Sequence, residues 1–176
     1  MILKSIYTFI VCTIFQGCSS MAIEDFTDSK PTFIPEKYFD GELTAYGLVK
    51  DRSGKIIRTF KGDLFGSWDQ NGVGTLDESF VYNDGEKQKR IWTLTPNGKN
   101  TYIGTAGDIV GEAKMQNNGN TVVIDYTMRV PYGDGTIDIN VKDWLHLQED
   151  GIIINHSKMK KFGFEVGELI ITIIKK

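Results

Sequence analysis

Beyond Lys37 the chain is a series of apolar–polar alternations interrupted by turn residues. Val122, Ile124, Tyr126, Met128 and Val130 fall on one face of an extended segment, with Asp125, Thr127 and Arg129 on the other. Phe60, Leu64 and Trp68 share a face of an earlier segment, and Gly62 and Gly66 sit between them. Alternation with period two marks a half-buried strand, and glycines inside a strand mark a bulge, a bend or the close approach of another element. No stretch sustains the 3.6-residue period of a long helix; one helical turn at residues 157–163 is the most that is expected. Residues 169–174 are apolar on both faces and read as a covered strand.

The turn signals are Ser53-Gly54, Asn71-Gly72, Asp84-Gly85, Asn97-Gly98, Asn118-Gly119, Asp134-Gly135 and Asp150-Gly151. Asn-Gly and Asp-Gly suit tight hairpins because both residues tolerate positive φ. Seven such signals imply about eight antiparallel strands. The expected fold is all-β: an antiparallel up-and-down barrel, lipocalin-like, which closes on itself and so has no free edges. A β-sandwich is the alternative.

One hairpin can be read residue by residue. A two-residue loop at Asp84-Gly85 would put Leu76 and Phe80 on the same face as Lys87 and Lys89, a poor arrangement for a core. A three-residue loop with Gly85 in the left-handed region shifts the register by one. Leu76 then faces Trp92, Glu78 faces Arg90 and Phe80 faces Gln88, while Asp77, Ser79, Lys87 and Lys89 take the wet side. Glu78 and Arg90 are therefore expected inside, among apolar neighbours. Such a pair is either a structural ion pair, since each charge alone would be costly, or a fork offered by Arg90 to a ligand carboxylate or phosphate. The candidate lining of a ligand site is Glu78, Arg90, Trp92, Phe80, Trp68 and Tyr126.

Ahead of this body the pattern changes. Lys4 lies in a short, positively charged start, and residues 6–15 are nearly unbroken apolar. That run is too short to span a bilayer, which takes about 20 apolar residues, and reads as a secretory signal. Phe15-Gln16-Gly17-Cys18 follows and resembles the lipobox of bacterial lipoproteins, with Phe15 where leucine is usual. The resemblance implies cleavage before Cys18 and lipid attachment to it, and two or more acyl chains give stable anchoring where one does not. Ser19 after the cysteine implies transfer to the outer membrane, facing the periplasm. The chain divides into a signal at 1–17, a lipidated N-terminus and tether at 18–36 with one docked turn near Phe33 and Ile34, and a single domain at 37–176.

Composition narrows the chemistry further. Twenty Lys and Arg against 23 Asp and Glu, without a basic stripe, exclude a nucleic-acid partner of the usual kind. Cys12 and Cys18 are the two cysteines, so a chain cut before Cys18 has no internal disulfide. His146 and His156 are the two histidines and set up no zinc site; no cofactor is implied. Asp77 and Glu78 are adjacent strand residues, point to opposite faces, and cannot share a substrate. Asp134 to Asp138 fits a polar hairpin tip better than a calcium loop. For Trp144, the competing claims of Val141, Asp143 and Leu145 on the inner face leave the register open.

Several separated motifs resemble one bacterial family. They are Asp51-Arg52-Ser53-Gly54-Lys55, Gly66-Ser67-Trp68, residues 75–82 with Asp84-Gly85-Glu86, Arg90-Ile91-Trp92, Gly104-Thr105-Ala106-Gly107-Asp108, Val110-Gly111, Asp143-Trp144, Lys161-Phe162-Gly163 and Val166-Gly167-Glu168. The family is that of lipoproteins named for "domain of unknown function 3833". The family's pattern has Asp-Asp-Trp where this chain has Lys142-Asp143-Trp144. The resemblance implies an envelope lipoprotein and brings no activity with it. The expected function is a membrane-anchored barrel binding a fatty acid, lipid or other amphipathic small molecule. A filled barrel serving as a structural or interaction module is the alternative, and an isomerase or cyclase acting by placement alone comes third.

Overall fold

A computed structural model of the chain describes residues 21–176; the signal segment and Cys18 lie outside the described residues. Ten strands among these residues form one antiparallel barrel. They are β1 (Gly41–Asp51), β2 (Ile56–Trp68), β3 (Gly74–Tyr82), β4 (Lys87–Pro96), β5 (Thr101–Thr105), β6 (Ala113–Asn118), β7 (Thr121–Tyr132), β8 (Gly135–Leu147), β9 (Ile152–Lys161) and β10 (Phe164–Lys175). Each strand pairs with its neighbours in sequence, and β1 closes on β10 with Ala45 opposite Ile173. The expected lipocalin-like, up-and-down barrel is what forms, not the sandwich, and every strand has two partners.

The seven turn signals all fall at or beside hairpins, and the strands exceed eight because two connections carry no such signal. One is residues 106–112, between the short β5 and β6. The other is Phe162-Gly163, with φ 52 and 83, joining β9 to β10. The helical turn expected at 157–163 is therefore the end of a strand and a two-residue hairpin. Pairing with β10, such as Ser157 opposite Leu169, satisfies the backbone there and favours the strand.

The interior glycines earn their place by what lies over them. A Cβ on Gly62 would sit 2.7 Å from the Phe80 ring, and one on Gly66 would sit 1.7 Å from the Phe39 carbonyl oxygen. The close approach read from Gly62 and Gly66 is thus a ring in one case and backbone in the other.

That backbone belongs to the N-terminal segment, which is docked from Ile23 on. A 3-10 helix, Ile23–Phe26, lies on the outer wall, where Phe26 packs on Trp144 and His146 with centroids 6.1 and 5.1 Å apart. The chain then crosses one end of the barrel. Phe33 is fully buried, its N–H donates to the Gly119 carbonyl at 2.8 Å, and its carbonyl accepts from Asn117 Nδ2 at 3.1 Å. After α1 (Pro35–Tyr38), Tyr38 and Phe39 close on Phe33 with centroid distances of 5.5 and 5.6 Å. The expected tether with one docked turn is therefore, from Ile23 on, a segment anchored by buried side chains that seals an end. Pro31 and Pro35 suggested a spacer, but Ile23, Phe33, Tyr38 and Phe39 supply apolar groups that the open end would otherwise leave wet.

Gly66→Ala tests this seal. The added methyl meets carbonyl backbone rather than a flexible side chain, so a loss of about 1–3 kcal/mol in urea unfolding is expected. An unchanged midpoint would show that the plug yields freely.

Candidate functional site

Inside the barrel, closed at one end, lies a cavity of about 100 Å³. Its wall has two sectors. On β1, β2 and β10 the inward side chains are apolar, among them Leu64, Leu169, Ile171 and Ile173. From β3 round to β9 they are polar at the waist: Glu78, Arg90, Tyr126, Asp143 and Asn155 all line the space. Period-two alternation places each of them, since an inward residue on one strand meets an inward residue across the ladder. The β3–β4 pairing sets Leu76 opposite Trp92, Glu78 opposite Arg90 and Phe80 opposite Gln88, the register expected from the three-residue loop, with Gly85 at φ 87. On the wet side Lys89 pairs with Asp77 at 3.0 Å.

Arg90 is the hub. Its Nε lies 3.0 Å from both Asp108 oxygens and its Nη2 donates to Asp108 Oδ2 at 2.7 Å, a bidentate pair. Glu78 Oε2 stands 3.8 Å from Nη1, an ion pair without a hydrogen bond. The fork read as a receptor for a ligand carboxylate is thus occupied by Asp108. Asp108 lies in the 106–112 connection, which continues the wall beside β7: Val110 N–H donates to the Thr127 carbonyl, and Arg129 N–H to that of Asp108, each at 2.8 Å. No periodic signal marks a loop residue, so no pattern along the chain pointed to this partner.

Glu78, Asp108 and Asp143 converge around one guanidinium, and the protonation of Glu78 and Asp143 responds. Burial raises the Glu78 carboxyl to about 7, with Arg90 and the Trp92 indole pulling the other way. Asp143 is raised to about 6, again by burial, with Ser157 and the Tyr126 hydroxyl pulling the other way. Tyr126 donates to Asp143 Oδ2 at 3.1 Å, and burial followed by that carboxylate lifts its phenol well above the ordinary range.

Of the six candidate lining residues, the fold brings Glu78, Phe80, Arg90, Trp92 and Tyr126 to the cavity. Trp92 and Tyr126 meet edge to face at 5.7 Å. Trp68 does not reach it; its ring lies over Gly74, where a Cβ would be 2.4 Å away, and packs against Tyr102. The β8 register is settled as Asp143 inward and Trp144 outward, beneath Phe26. Sequence reasoning missed Asp108, Asp143 and Asn155. For Asn155 the alternation of Ile153, Asn155, Ser157 and Met159 was available, but Ile154 on the opposite face obscured it. Among the described residues no cluster of His, Cys, Asp and Glu has the form of a metal site, and no helix is long and apolar enough to cross a membrane.

The fold and the cavity together define a lipocalin-like barrel with a small interior, part apolar and part acidic. The chain belongs to the family described as "Protein of unknown function (DUF3833)", which matches residues 12–175. None of the curated proteins matches it in sequence. Among solved structures it is similar to an S-type phycobiliprotein lyase from Guillardia theta, with a TM-score of 0.58 and 10% identity over 89% of this chain and 93% of the other. At that identity the likeness is one of fold.

The raised carboxyls make stability depend on pH. Glu78 binds its proton more tightly folded than unfolded, so its contribution is complete below about 4.5 and is lost as pH rises through about 7. Asp143 acts in the same direction between 3.8 and about 6. Glu78→Gln is expected to remove the first share, narrowing the difference in urea-unfolding free energy between pH 5 and pH 8 by about 1–3 kcal/mol. A variant as pH-sensitive as the parent would place the titration elsewhere.

Proposed function

We propose that the protein is a lipid-anchored envelope protein whose barrel binds one small amphipathic molecule. The observation carrying the binding part is the divided cavity wall, apolar along β10 and polar at Glu78, Tyr126 and Asp143. A space filled only for stability would be lined more cheaply by apolar groups alone. The similar solved structure is titled a phycobiliprotein lyase, and its likeness in fold supports a barrel suited to a small ligand. The volume sets the scale: an engineered apolar cavity of about 150 Å³ holds benzene, so about 100 Å³ suits a short chain or small ring. That same size, below the roughly 300–1,000 Å³ of drug-sized pockets, favours a second reading, a filled barrel acting as an interaction module.

Ala113 is buried and lines the cavity, which makes it a suitable position for a block. Native mass spectrometry of the full-length chain, released from nanodiscs made in its own membranes, is expected to show one small adduct per chain. Ala113→Leu, which fills the space, is expected to lose it. A bare mass for the parent, or an adduct that survives the block, would favour the filled-barrel reading.

For the anchor, the reading rests on Phe15-Gln16-Gly17-Cys18, and Ser19 supports the outer membrane, facing the periplasm, as its destination. Cells fed labelled palmitate are expected to label the parent chain and leave Cys18→Ser unlabelled. Equal labelling of the two would remove the lipid from Cys18.

A further inference from the structure

Resting on the reading that the barrel takes a small ligand, we infer that its polar sector selects a molecule that presents a hydrogen-bond donor, a protonated amine or a hydroxyl, on a short apolar body. Arg90 is the one cation lining the cavity among the described residues, against the carboxylates of Glu78 and Asp143 in the lining and Asp108 behind it. Most of the donors already present are engaged, Arg90 Nη1 being 3.8 Å from Glu78 Oε2 without a hydrogen bond. Arg90 gives Nε and Nη2 to Asp108, and Nη2 is also 3.2 Å from Met128 Sδ. Tyr126 gives its hydroxyl to Asp143 Oδ2, and Asn155 turns its amide to the Trp144 carbonyl at 3.5 Å.

Above pH 7, where both carboxyls have lost their protons, what is left is a pair of acceptors. Glu78 Oε2 and Asp143 Oδ1 are buried without a hydrogen-bond partner, and Glu78 as a residue is only 9% exposed. A bare acceptor in an apolar site is costly, and a donor from the ligand recovers that loss. An incoming anion would meet the same oxygens and find the Nε–Nη2 edge of the guanidinium already held by Asp108, with Nη1 alone left beside Glu78. Opposite them, Leu169, Ile171 and Ile173 offer an apolar wall to the rest of the molecule. The cavity of about 100 Å³ keeps that body short.

The test uses the full-length chain in phosphatidylcholine nanodiscs, with ¹⁵N on its 3 tryptophans, so that each indole N–H reports separately. Trp92 lines the cavity, and Trp68 and Trp144 lie elsewhere as controls. The probes are n-butylamine, n-butanol and n-butyrate, matched in body and different in head. The amine and the alcohol are expected to shift the Trp92 signal with a Kd at least about tenfold below that of butyrate, the scale of one hydrogen bond to a charged group. Glu78→Gln, which keeps the shape of the side chain, is expected to narrow the gap between amine and butyrate; Asp143→Asn is the second variant should the first fold poorly. Butyrate binding as tightly as the amine would overturn the donor assignment and leave the cavity reading standing. A gap unchanged in both variants overturns the assignment to these carboxylates. Silence at Trp92 with all three probes overturns both readings together.

Discussion

The guanidinium of Arg90 lies at the barrel waist, where β3, β4, β8 and the 106–112 connection bring three carboxylates together. Without that charge the carboxylates would face one another across low-dielectric space, and removing one partner of a buried ion pair typically costs about 3–5 kcal/mol. Its bidentate bond to Asp108 does more than neutralise a charge. β5 and β6 are short, and the connection between them has to complete the wall; Asp108 fastens that connection from within, and the backbone bonds to β7 fasten it from outside. Burial raises the carboxyls of Glu78 and Asp143, and Arg90, bound to Asp108, offsets it only in part, so the cavity is rich in carboxyls and short of cations.

The sealed end follows from a different economy of space. A ten-stranded barrel has a mouth too wide for its own rim residues to close, and here Phe33, Tyr38 and Phe39 fill it, with Gly66 making room for the Phe39 carbonyl. The same segment covers the outer face of β8, which is why Trp144 can point away from the interior and still be buried. Docking from Ile23 also bears on anchoring. Five residue steps separate Cys18 from Ile23, and an extended chain covers at most about 18 Å in that distance. A lipid on Cys18 would hold the barrel against the bilayer, not at the end of a long leash.

The architecture was open to sequence reading because its determinants are local. Gly-containing turn pairs and period-two alternation marked most hairpins, and amphipathicity alone chose the β3–β4 register that places Glu78 opposite Arg90. The strand count fell short where a connection lacked the usual pair: residues 106–112 have no tight turn, and Phe162 adopts a positive φ that its side chain does not advertise. Half of the candidate site was legible for the same reason. Trp68 was on the expected face, yet it lies too far towards the sealed end, against Tyr102, to line the cavity.

From its sequence alone, then, most of this protein's strands and turns and the inward Glu78–Arg90 pair were determined, because each depends on neighbours along one chain segment or across one hairpin. Closure of β1 on β10, the partner of Arg90, the inward turn of Asp143 and the plugging of one end were decided only by tertiary structure. Each needs groups far apart in sequence to compete for the same space or the same charge: Phe26 for the face of Trp144, Asp108 for the fork of Arg90, and Phe39 for the gap above Gly66. No local pattern encodes the outcome of those competitions.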